Sequence, residues 1–128
     1  MPIHVLVADD EPHIGRIIQT KLEQGPFRVT LVADGPGAVK ALEEYPDIAL
    51  VLLDLMMPGL TGLEVLSRMR ADDRWKALPC VILTAAGHEQ QRAEALGLGA
   101  DDFLTKPFSP KRLYARVAEL TSATPGVA

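Results

Sequence analysis

The sequence predicts a doubly wound α/β domain, in which helices cover both faces of a parallel sheet. Five short apolar segments alternate with five segments in which apolar residues recur at helical spacing. Prolines and glycines stand between these segments, where strands and helices begin or end. Polar residues follow the apolar segments directly, and sheets of this class bind ligands beyond the carboxyl ends of their strands. The fold class therefore also predicts where a functional site would lie.

The first strand is predicted at Ile3–Ala8 and runs into Asp9 and Asp10. Pro12 then opens a helix, because the N–H that proline lacks would have no partner in the first helical turn. Gly25 is predicted to end this helix in the left-handed conformation. Ile14, Ile17, Ile18 and Leu22 recur at helical spacing in this helix.

The second and third strands are predicted at residues 27–33 and 48–53. A turn is predicted between them at residues 34–37, where aspartate, glycine and proline are concentrated. The helix after this turn has the inner face Ala38, Val39, Leu42 and Tyr45. The third strand is almost wholly apolar and ends at Asp54, as expected for a central strand that helices cover on both faces.

A loop at residues 56–62 leads to the third helix, and a fourth strand at residues 81–83 ends at Thr84. The inner face of the third helix is formed by Leu63, Val65, Leu66 and Met69. The fourth helix is predicted at residues 89–96, and a short fifth strand at residues 102–105 arrives at Lys106. The last helix begins with Ser109 as N-cap and Pro110 at its first position.

Parallel neighbouring strands need crossover connections, and these connections are nearly always right-handed. We therefore expect three layers, α/β/α, with five strands and five helices. The residues alone leave the strand order open, and the flavodoxin-like order 2-1-3-4-5 is one of two common solutions. In that order the first and third strands are neighbours.

Length and composition limit the possible functions. At 128 residues the chain fits one domain, predicted at residues 1–120, with residues 121–128 as a tail or the start of a linker. The net charge of −4 argues against direct nucleic-acid binding, which needs clustered lysines and arginines. The single Cys80 lies in an apolar segment, as expected for a buried thiol of a cytoplasmic protein. The sequence contains no apolar stretch near the roughly 20 residues that cross a bilayer, so we expect no membrane anchor.

Five polar residues are predicted at the carboxyl ends of strands, on the edge where this class binds ligands. They are Asp9, Asp10, Asp54, Thr84 and Lys106. If the first and third strands are neighbours, the three aspartates lie side by side, and like charges at such distances favour binding of a cation. Magnesium suits such a site, because it prefers oxygen ligands, keeps several waters and bridges to phosphate oxygens. The pattern therefore predicts a site for magnesium and a phosphoryl group.

Asp54 is the best candidate nucleophile, because it ends the central strand. A carboxylate can attack phosphorus and form an acyl phosphate. The adjacent Asp9 and Asp10 are better placed to hold the ion. Lys106 offers a positive charge and Thr84 a hydroxyl donor, and phosphoryl transfer depends mainly on such positioning and charge neutralisation.

Four motifs, in order, resemble those of the response-regulator receiver domains of two-component phosphorelay signalling. They are Asp9-Asp10-Glu11, Leu-Asp-Leu-Met-Met-Pro-Gly at residues 53–59, Leu83-Thr84-Ala85 and Thr105-Lys106-Pro107-Phe108. The resemblance covers residues 3–120, and each motif stands at the end of a predicted strand. We therefore predict the strand order 2-1-3-4-5.

The resemblance implies that a phosphohistidine on a sensor histidine kinase, or on a histidine phosphotransfer protein, phosphorylates Asp54. Magnesium, for which manganese can substitute, would be bound by Asp10, Asp54 and the backbone carbonyl of Met56, with Asp9 acting through water. Lys106 would contact the phosphoryl oxygens.

The resemblance also implies a conformational switch. Thr84 would swing to hydrogen-bond the phosphoryl group, and Phe103 would move inward into the space that Thr84 leaves. The face formed by the fourth helix, the fifth strand and the fifth helix would then change and control a downstream effector domain or protein. Phe103 stands where this family often has tyrosine, so any role that needs a phenolic hydroxyl is lost. The Lys106–Pro107 peptide bond is expected to be cis.

The segment at residues 99–111 is similar to the receivers of winged-helix transcription factors, which dimerise through the same face. Asp102 and Arg116 match the cross-dimer charge pattern of those receivers. Arg112 stands where they usually carry an acid, so it would face Arg92 as a like charge. The chain is therefore expected to be a monomer or a phosphorylation-dependent homodimer.

Other classes of function fit the sequence less well. A phosphatase with an aspartyl-phosphate intermediate would need a further acid two residues after Asp54, and Met56 occupies that position. We therefore expect at most slow self-dephosphorylation rather than an enzyme. A phosphorylation-independent interaction module would be favoured by loss of an acid or of Lys106, and all of them are present. A nucleotide-binding protein would carry a glycine-rich phosphate loop after the first strand, where this chain has Asp9 and Asp10.

Overall fold

A computed structural model describes residues 2–121 and contains five parallel strands and five helices in strict alternation. The strands are β1 (Ile3–Ala8), β2 (Phe27–Val32), β3 (Ile48–Asp54), β4 (Cys80–Ala85) and β5 (Asp102–Lys106). The helices are α1 (Pro12–Glu23), α2 (Gly35–Glu44), α3 (Gly62–Ala71), α4 (Glu89–Gly97) and α5 (Pro110–Thr121). Thr121 thus ends α5, and the rest of the predicted tail or linker lies outside the described residues.

The strand order is β2-β1-β3-β4-β5, which confirms the flavodoxin-like order. β1 lies between β2 and β3, and Ala8 at its end pairs with Val32 on one side and Leu53 on the other. β3 in turn pairs with β4, where Asp54 lies opposite Leu83. The carboxyl ends of β1, β3 and β4 therefore meet at one edge of the sheet, as the doubly wound class requires.

Alternating side chains of the strands form two core layers, one on each face of the sheet. In β3, Leu50 and Leu52 pack in the layer with α1 and α5, whereas Val51 and Leu53 pack in the layer with α2, α3 and α4. All four are fully buried, and complete burial of such a side chain contributes roughly 1.5–3 kcal/mol. The apolar pattern of β3 is therefore that of a central strand covered on both faces.

The ends of several elements differ from the sequence-based expectation. β2 ends at residue 32 rather than 33, and β4 extends over Cys80–Ala85. Thr84 consequently lies inside β4 instead of following it. The predicted turn at residues 34–37 is in fact the N-cap and first turn of α2, because the Asp34 carboxylate accepts a hydrogen bond of 2.6 Å from the Gly37 N–H.

Gly25 does not have the left-handed conformation that the sequence suggested. Within residues 2–121 the glycines with positive φ are Gly59, Gly87 and Gly99. α1 instead ends with the Gly25 N–H donating to the Leu22 carbonyl at 2.9 Å. A side chain at Gly25 would collide with the ring and hydroxyl of Tyr114 on α5, so the glycine is explained by close packing rather than by backbone conformation.

Arg70 near the end of α3 contacts two connecting segments at the opposite edge of the sheet. Its guanidinium donates hydrogen bonds to the carbonyls of Gly99 at 2.9 Å, Leu78 at 2.9 Å and Trp75 at 3.2 Å. The side chain is only 17% exposed, and it also forms an ion pair with Asp101. These contacts tie the end of α3 to the segments that precede β4 and β5.

Candidate functional site

Asp54 lies at the carboxyl end of the central strand and is only 5% exposed. The chain continues to pair with β4 for one residue beyond it, because the Leu55 N–H donates to the Leu83 carbonyl at 3.1 Å. The Met56 N–H turns back and donates to Asp54 Oδ1 at 3.2 Å. One carboxylate oxygen is thus held by the backbone, while Oδ2 faces a cationic neighbour.

That neighbour is Lys106, the last residue of β5, whose ammonium group lies among three carboxylates. The distances from Nζ are 3.1 Å to Asp54 Oδ2, 2.9 Å to Asp9 Oδ2 and 2.9 Å to Glu11 Oε1. Burial alone lowers the pKa of Lys106 by disfavouring the charged form, but the three carboxylates outweigh this effect and the net pKa is raised. Lys106 is therefore a fixed positive charge at neutral pH.

The carboxyl group of Asp54 has a pKa raised to about 6. Burial is the largest cause, and the negative charge of Asp9 acts in the same direction. The hydrogen bond from the Met56 N–H and the charge of Lys106 oppose the rise but do not cancel it. A further cation at the site would favour the ionised form that a nucleophile needs.

The acidic side chains of the β1–α1 loop gather around Asp54. Asp9, Asp10, Glu11 and Asp54 each offer a ligand oxygen, and these oxygens lie within 4.8 Å of one another. Asp9 Oδ1 accepts a hydrogen bond of 2.9 Å from the Glu11 N–H. Within the described part of the chain, the buried Asp9 Oδ2 accepts no hydrogen bond, and its contact with Lys106 is an ion pair alone. Four carboxylates and one ammonium leave excess negative charge, so the donor set fits a hard divalent cation such as magnesium.

Glu11 is a member of this cluster to which sequence reasoning assigned no role. Its carboxylate binds Lys106, and this hydrogen bond is the main reason why the pKa of Glu11 is lowered. The only signal in the sequence was its position directly after Asp9 and Asp10. The contact joins residues that lie 95 positions apart in the chain, so it depends on the fold.

Thr84 and Phe103, the predicted switch residues, lie on the neighbouring strands β4 and β5. Thr84 is buried, and its hydroxyl donates to the carbonyl of Ala85 at 3.2 Å. Phe103 is partly buried against the core layer on the α4 side, where the guanidinium of Arg92 lies 4.5 Å from its ring centroid. In this structure Thr84 is thus satisfied by the backbone, and Phe103 is stacked beneath a cation.

The remaining predicted site residue, Met56, lies in the β3–α3 loop with its side chain 56% exposed. The exposed thioether agrees with the expectation that only its backbone contributes to the site. The Lys106–Pro107 peptide bond is cis, as the resemblance implied. The structure therefore brings Asp9, Asp10, Asp54 and Lys106 into one cluster and places Thr84 on the adjacent strand.

Comparison with known proteins identifies the family of this chain. The family model of the response regulator receiver domain matches residues 5–118, which is most of the chain. The chain belongs to this receiver-domain family. Phosphorylation and magnesium binding are general features of receiver domains, which act as signalling switches in two-component systems.

Several curated proteins are similar to this receiver in sequence. The phosphate regulon transcriptional regulatory protein PhoB of Escherichia coli is 41% identical over 118 residues, which are 91% of this chain and 51% of PhoB. The DNA-binding dual master transcriptional regulator RpaA of Synechocystis is 38% identical over 121 residues, or 94% of this chain and 49% of RpaA. The chain thus spans about half the length of these relatives.

Solved receiver structures have the same fold. The receiver domain of the Francisella response regulator 1452 superposes with a TM-score of 0.85 at 35% identity, covering 94% of this chain and 97% of that chain. The chemotaxis response regulator CheY4 of Vibrio cholerae gives a TM-score of 0.86 at 26% identity, covering 94% and 99% of the two chains. Within residues 2–121, this receiver has no helix with the length and hydrophobicity needed to span a membrane.

Proposed function

We propose that this receiver accepts a phosphoryl group on Asp54, in a magnesium-dependent reaction, from a sensor histidine kinase or a histidine phosphotransfer protein in the cytoplasm. The observation that carries the proposal is the buried Asp54 carboxylate, with Lys106 at 3.1 Å and three further acids around it. An Asp54 oxygen attacks phosphorus, the new carboxylate O–P bond forms and the N–P bond of the phosphohistidine breaks. The products are an acyl phosphate on the receiver and a free histidine on the donor.

Asp10, Asp54 and the Met56 carbonyl would hold the magnesium ion, with Asp9 acting through water, and manganese would be an acceptable substitute. When bound, the ion supplies positive charge to the site and to the phosphoryl oxygens. Asp9 is buried, whereas Asp10 is exposed. This difference supports direct coordination of the ion by Asp10 and coordination through water by Asp9. Lys106 would contact a phosphoryl oxygen, for which it must give up part of its contact with Asp54.

The pKa of Asp54 bears on this chemistry, since only the ionised carboxylate is a nucleophile. A pKa of about 6 leaves the group mostly ionised at neutral pH, and a nearby divalent cation lowers the pKa further. Rapid turnover of the acyl phosphate would need an additional acid or base. Met56 stands two residues after Asp54, so we infer at most slow self-dephosphorylation and a switch rather than an enzyme.

The proposed switch requires two existing contacts to break. The Thr84 hydroxyl must leave the Ala85 carbonyl to reach the phosphoryl group, and Phe103 must turn inward from beneath Arg92. α4 is suited to such a change, because Ala95 is the only buried residue within Glu89–Gly97. The face made by α4, β5 and α5 would then bind a downstream effector domain or protein, and the receiver itself would make no direct contact with nucleic acid.

Intact-mass spectrometry of wild type and Asp54→Asn tests the proposal, after incubation with magnesium and acetyl phosphate. We expect one phosphate adduct on the wild type that needs magnesium, and no adduct on Asp54→Asn. Asp72→Asn is a matched control, because Asp72 is an aspartate at the end of α3 whose carboxylate pairs with Arg74. If the wild type acquires no phosphate and also fails to bind beryllofluoride, the fold serves as a phosphorylation-independent interaction module instead.

A further inference from the structure

The loop between β3 and α3, residues 55–61, is anchored at both ends by backbone hydrogen bonds. We call this segment the metal loop, because it carries the Met56 carbonyl. The Leu55 N–H donates to the Leu83 carbonyl at 3.1 Å, and the Gly62 N–H donates to the Leu55 carbonyl at 2.9 Å. These two bonds fix where the loop leaves β3 and where it enters α3, but they do not hold its middle.

The middle of the metal loop is held by the first turn of α2. The Gly35 N–H, at the first position of α2, donates to the Pro58 carbonyl at 3.3 Å. The two backbones touch directly, since a Cβ on Gly35 would fall on the carbonyl oxygen and the Cβ of Leu60. Gly59, with φ of +79°, makes a second contact of the same kind, and a Cβ there would lie 2.8 Å from Pro36 Cδ.

The first turn of α2 is the less movable partner in this contact. Asp34 caps it through the 2.6 Å hydrogen bond from the Gly37 N–H. Ala38 and Leu42 bury the helix against the core layer that it shares with β3. An atom added at Gly35 would therefore displace the metal loop rather than the helix.

We propose that Gly35 is a positioning residue for the metal site. Because Gly35 has no side chain, the first turn of α2 can pack directly against the metal loop. This contact fixes the position of the loop, and with it the direction in which the Met56 carbonyl points. The inference rests on the proposed function, in which this carbonyl is a magnesium ligand. It assigns α2 a role in metal binding although α2 contributes no residue to the acidic cluster.

The test compares Gly35→Ala with Gly97→Ala by calorimetric titration of the purified receiver with magnesium. Gly97 is a matched control, because it also lies in a helix but has open space where a Cβ would stand. Changing a group that orients a metal ligand typically weakens metal binding about 10- to 100-fold. We expect a roughly tenfold larger dissociation constant for Gly35→Ala, at the low end of that range, and an unchanged constant for Gly97→Ala.

Phosphorylation kinetics distinguish positioning from a general structural defect. Asp54 and Lys106 do not lie on the metal loop, so at saturating magnesium Gly35→Ala should reach nearly the wild-type rate with acetyl phosphate. The magnesium concentration for half-maximal rate should rise in proportion to the dissociation constant. A lower rate at saturating magnesium with an unchanged dissociation constant would overturn the inference.

A second variant keeps the test decisive if Gly35→Ala does not fold, as judged by circular dichroism. Pro36→Ala removes the ring atoms that face Gly59 without adding any heavy atom, and we expect it to weaken magnesium binding in the same direction by a smaller factor. Unchanged binding by Pro36→Ala, when Gly35→Ala is unfolded or also unchanged, would overturn the inference alone. A wild-type receiver that binds no magnesium would overturn the proposed function together with it.

Discussion

Lys106 is the residue on which the electrostatics of the site depend most. Its ammonium group forms ion pairs with the carboxylates of Asp9, Glu11 and Asp54, and its side chain is only 14% exposed. Removing one partner from a buried group of charges leaves the remaining charges uncompensated. The resulting loss of folding free energy is larger than the net stability that the intact group provided. Lys106 is thus the group that offsets the negative charge of these three carboxylates.

Lys106→Met should lower the free energy of unfolding by about 3 kcal/mol in the presence of a chelator, because the buried carboxylates then repel one another. Magnesium should bind more tightly to this variant than to the wild type, since a competing cation is gone. Urea unfolding with and without magnesium measures both effects. Lys40→Met is the control, because Lys40 is 78% exposed and its removal should change stability little. Equal stabilities of Lys106→Met and wild type in chelator would contradict the expectation.

Asp54 makes stability depend on pH in a direction opposite to that of most carboxylates. Its pKa rises from 3.8 to about 6 on folding, so its contribution is most favourable below about pH 4 and is lost as the pH rises through about 6. Without metal, Asp54→Asn should therefore be more stable than wild type at pH 7.5, by roughly 2 kcal/mol, and the difference should vanish near pH 4. Urea unfolding from pH 4 to 8 in chelator measures it. A difference that grows as the pH falls would show that the sign is wrong.

At the scale of secondary-structure elements, the loops at the two edges of the sheet are held differently. The metal loop at the functional edge depends on backbone contacts with α2 and on glycines that permit them. The loops at the opposite edge depend on one side chain, Arg70, which donates hydrogen bonds to three carbonyls from two segments. A single substitution on α3 should therefore loosen the segments that lead into β4 and β5.

Arg70→Met should destabilise the receiver by about 3 kcal/mol, because hydrogen bonds from a charged donor contribute more than neutral ones and the carbonyls at this site lose their partner. Arg68→Met is the matched control on the same helix, since Arg68 is exposed, and it should lie within about 0.5 kcal/mol of wild type. Thermal and urea unfolding provide the measurement. Equal losses for the two variants would mean that the hydrogen bonds of Arg70 add no stability.

In the complete fold, the acidic cluster lies at one edge of the sheet, and the face that is proposed to switch lies to one side of it. α4 buries little, and Arg92 on α4 stacks on Phe103. Asp102 and Arg116, which match a cross-dimer charge pattern, form an ion pair of 2.6 Å within the chain. Homodimerisation through this face would therefore have to rearrange or share contacts that the monomer already makes.

Dimerisation should accordingly need the activated state. We expect light scattering to show a monomer for the untreated receiver and a shift toward dimer after treatment with beryllofluoride and magnesium. Arg112→Glu should increase the dimer fraction, because it replaces a like charge facing Arg92 with an opposite one. Arg112→Ala, which only removes the charge, should have a smaller effect. A treated wild type that stays monomeric at all concentrations would exclude the homodimer.

The fold class and most residues of the proposed site could be predicted from the sequence. The alternation of apolar and amphipathic segments marks all five βα units, because a parallel sheet buried on both faces needs apolar strands and crossover helices. Asp9, Asp10, Asp54 and Lys106 could be predicted to lie together once the resemblance to receiver domains supplied the strand order, because strand ends meet at one edge in this class. The fold class follows from local periodicity, whereas the strand order rested on the resemblance of the four motifs to those of receiver domains.

The contacts between groups on different elements could not be predicted and become visible in the folded structure. Glu11 binds Lys106 because the β1–α1 loop and the end of β5 approach at the edge of the sheet, and no local pattern records such a distance. In the sequence, Gly25 and Gly35 are both glycines near a helix end. In the structure, a side chain at Gly25 would collide with Tyr114, and a side chain at Gly35 would collide with Leu60. The physical reason is that steric contacts and pKa shifts depend on distances between distant segments, and these exist only after the core has packed.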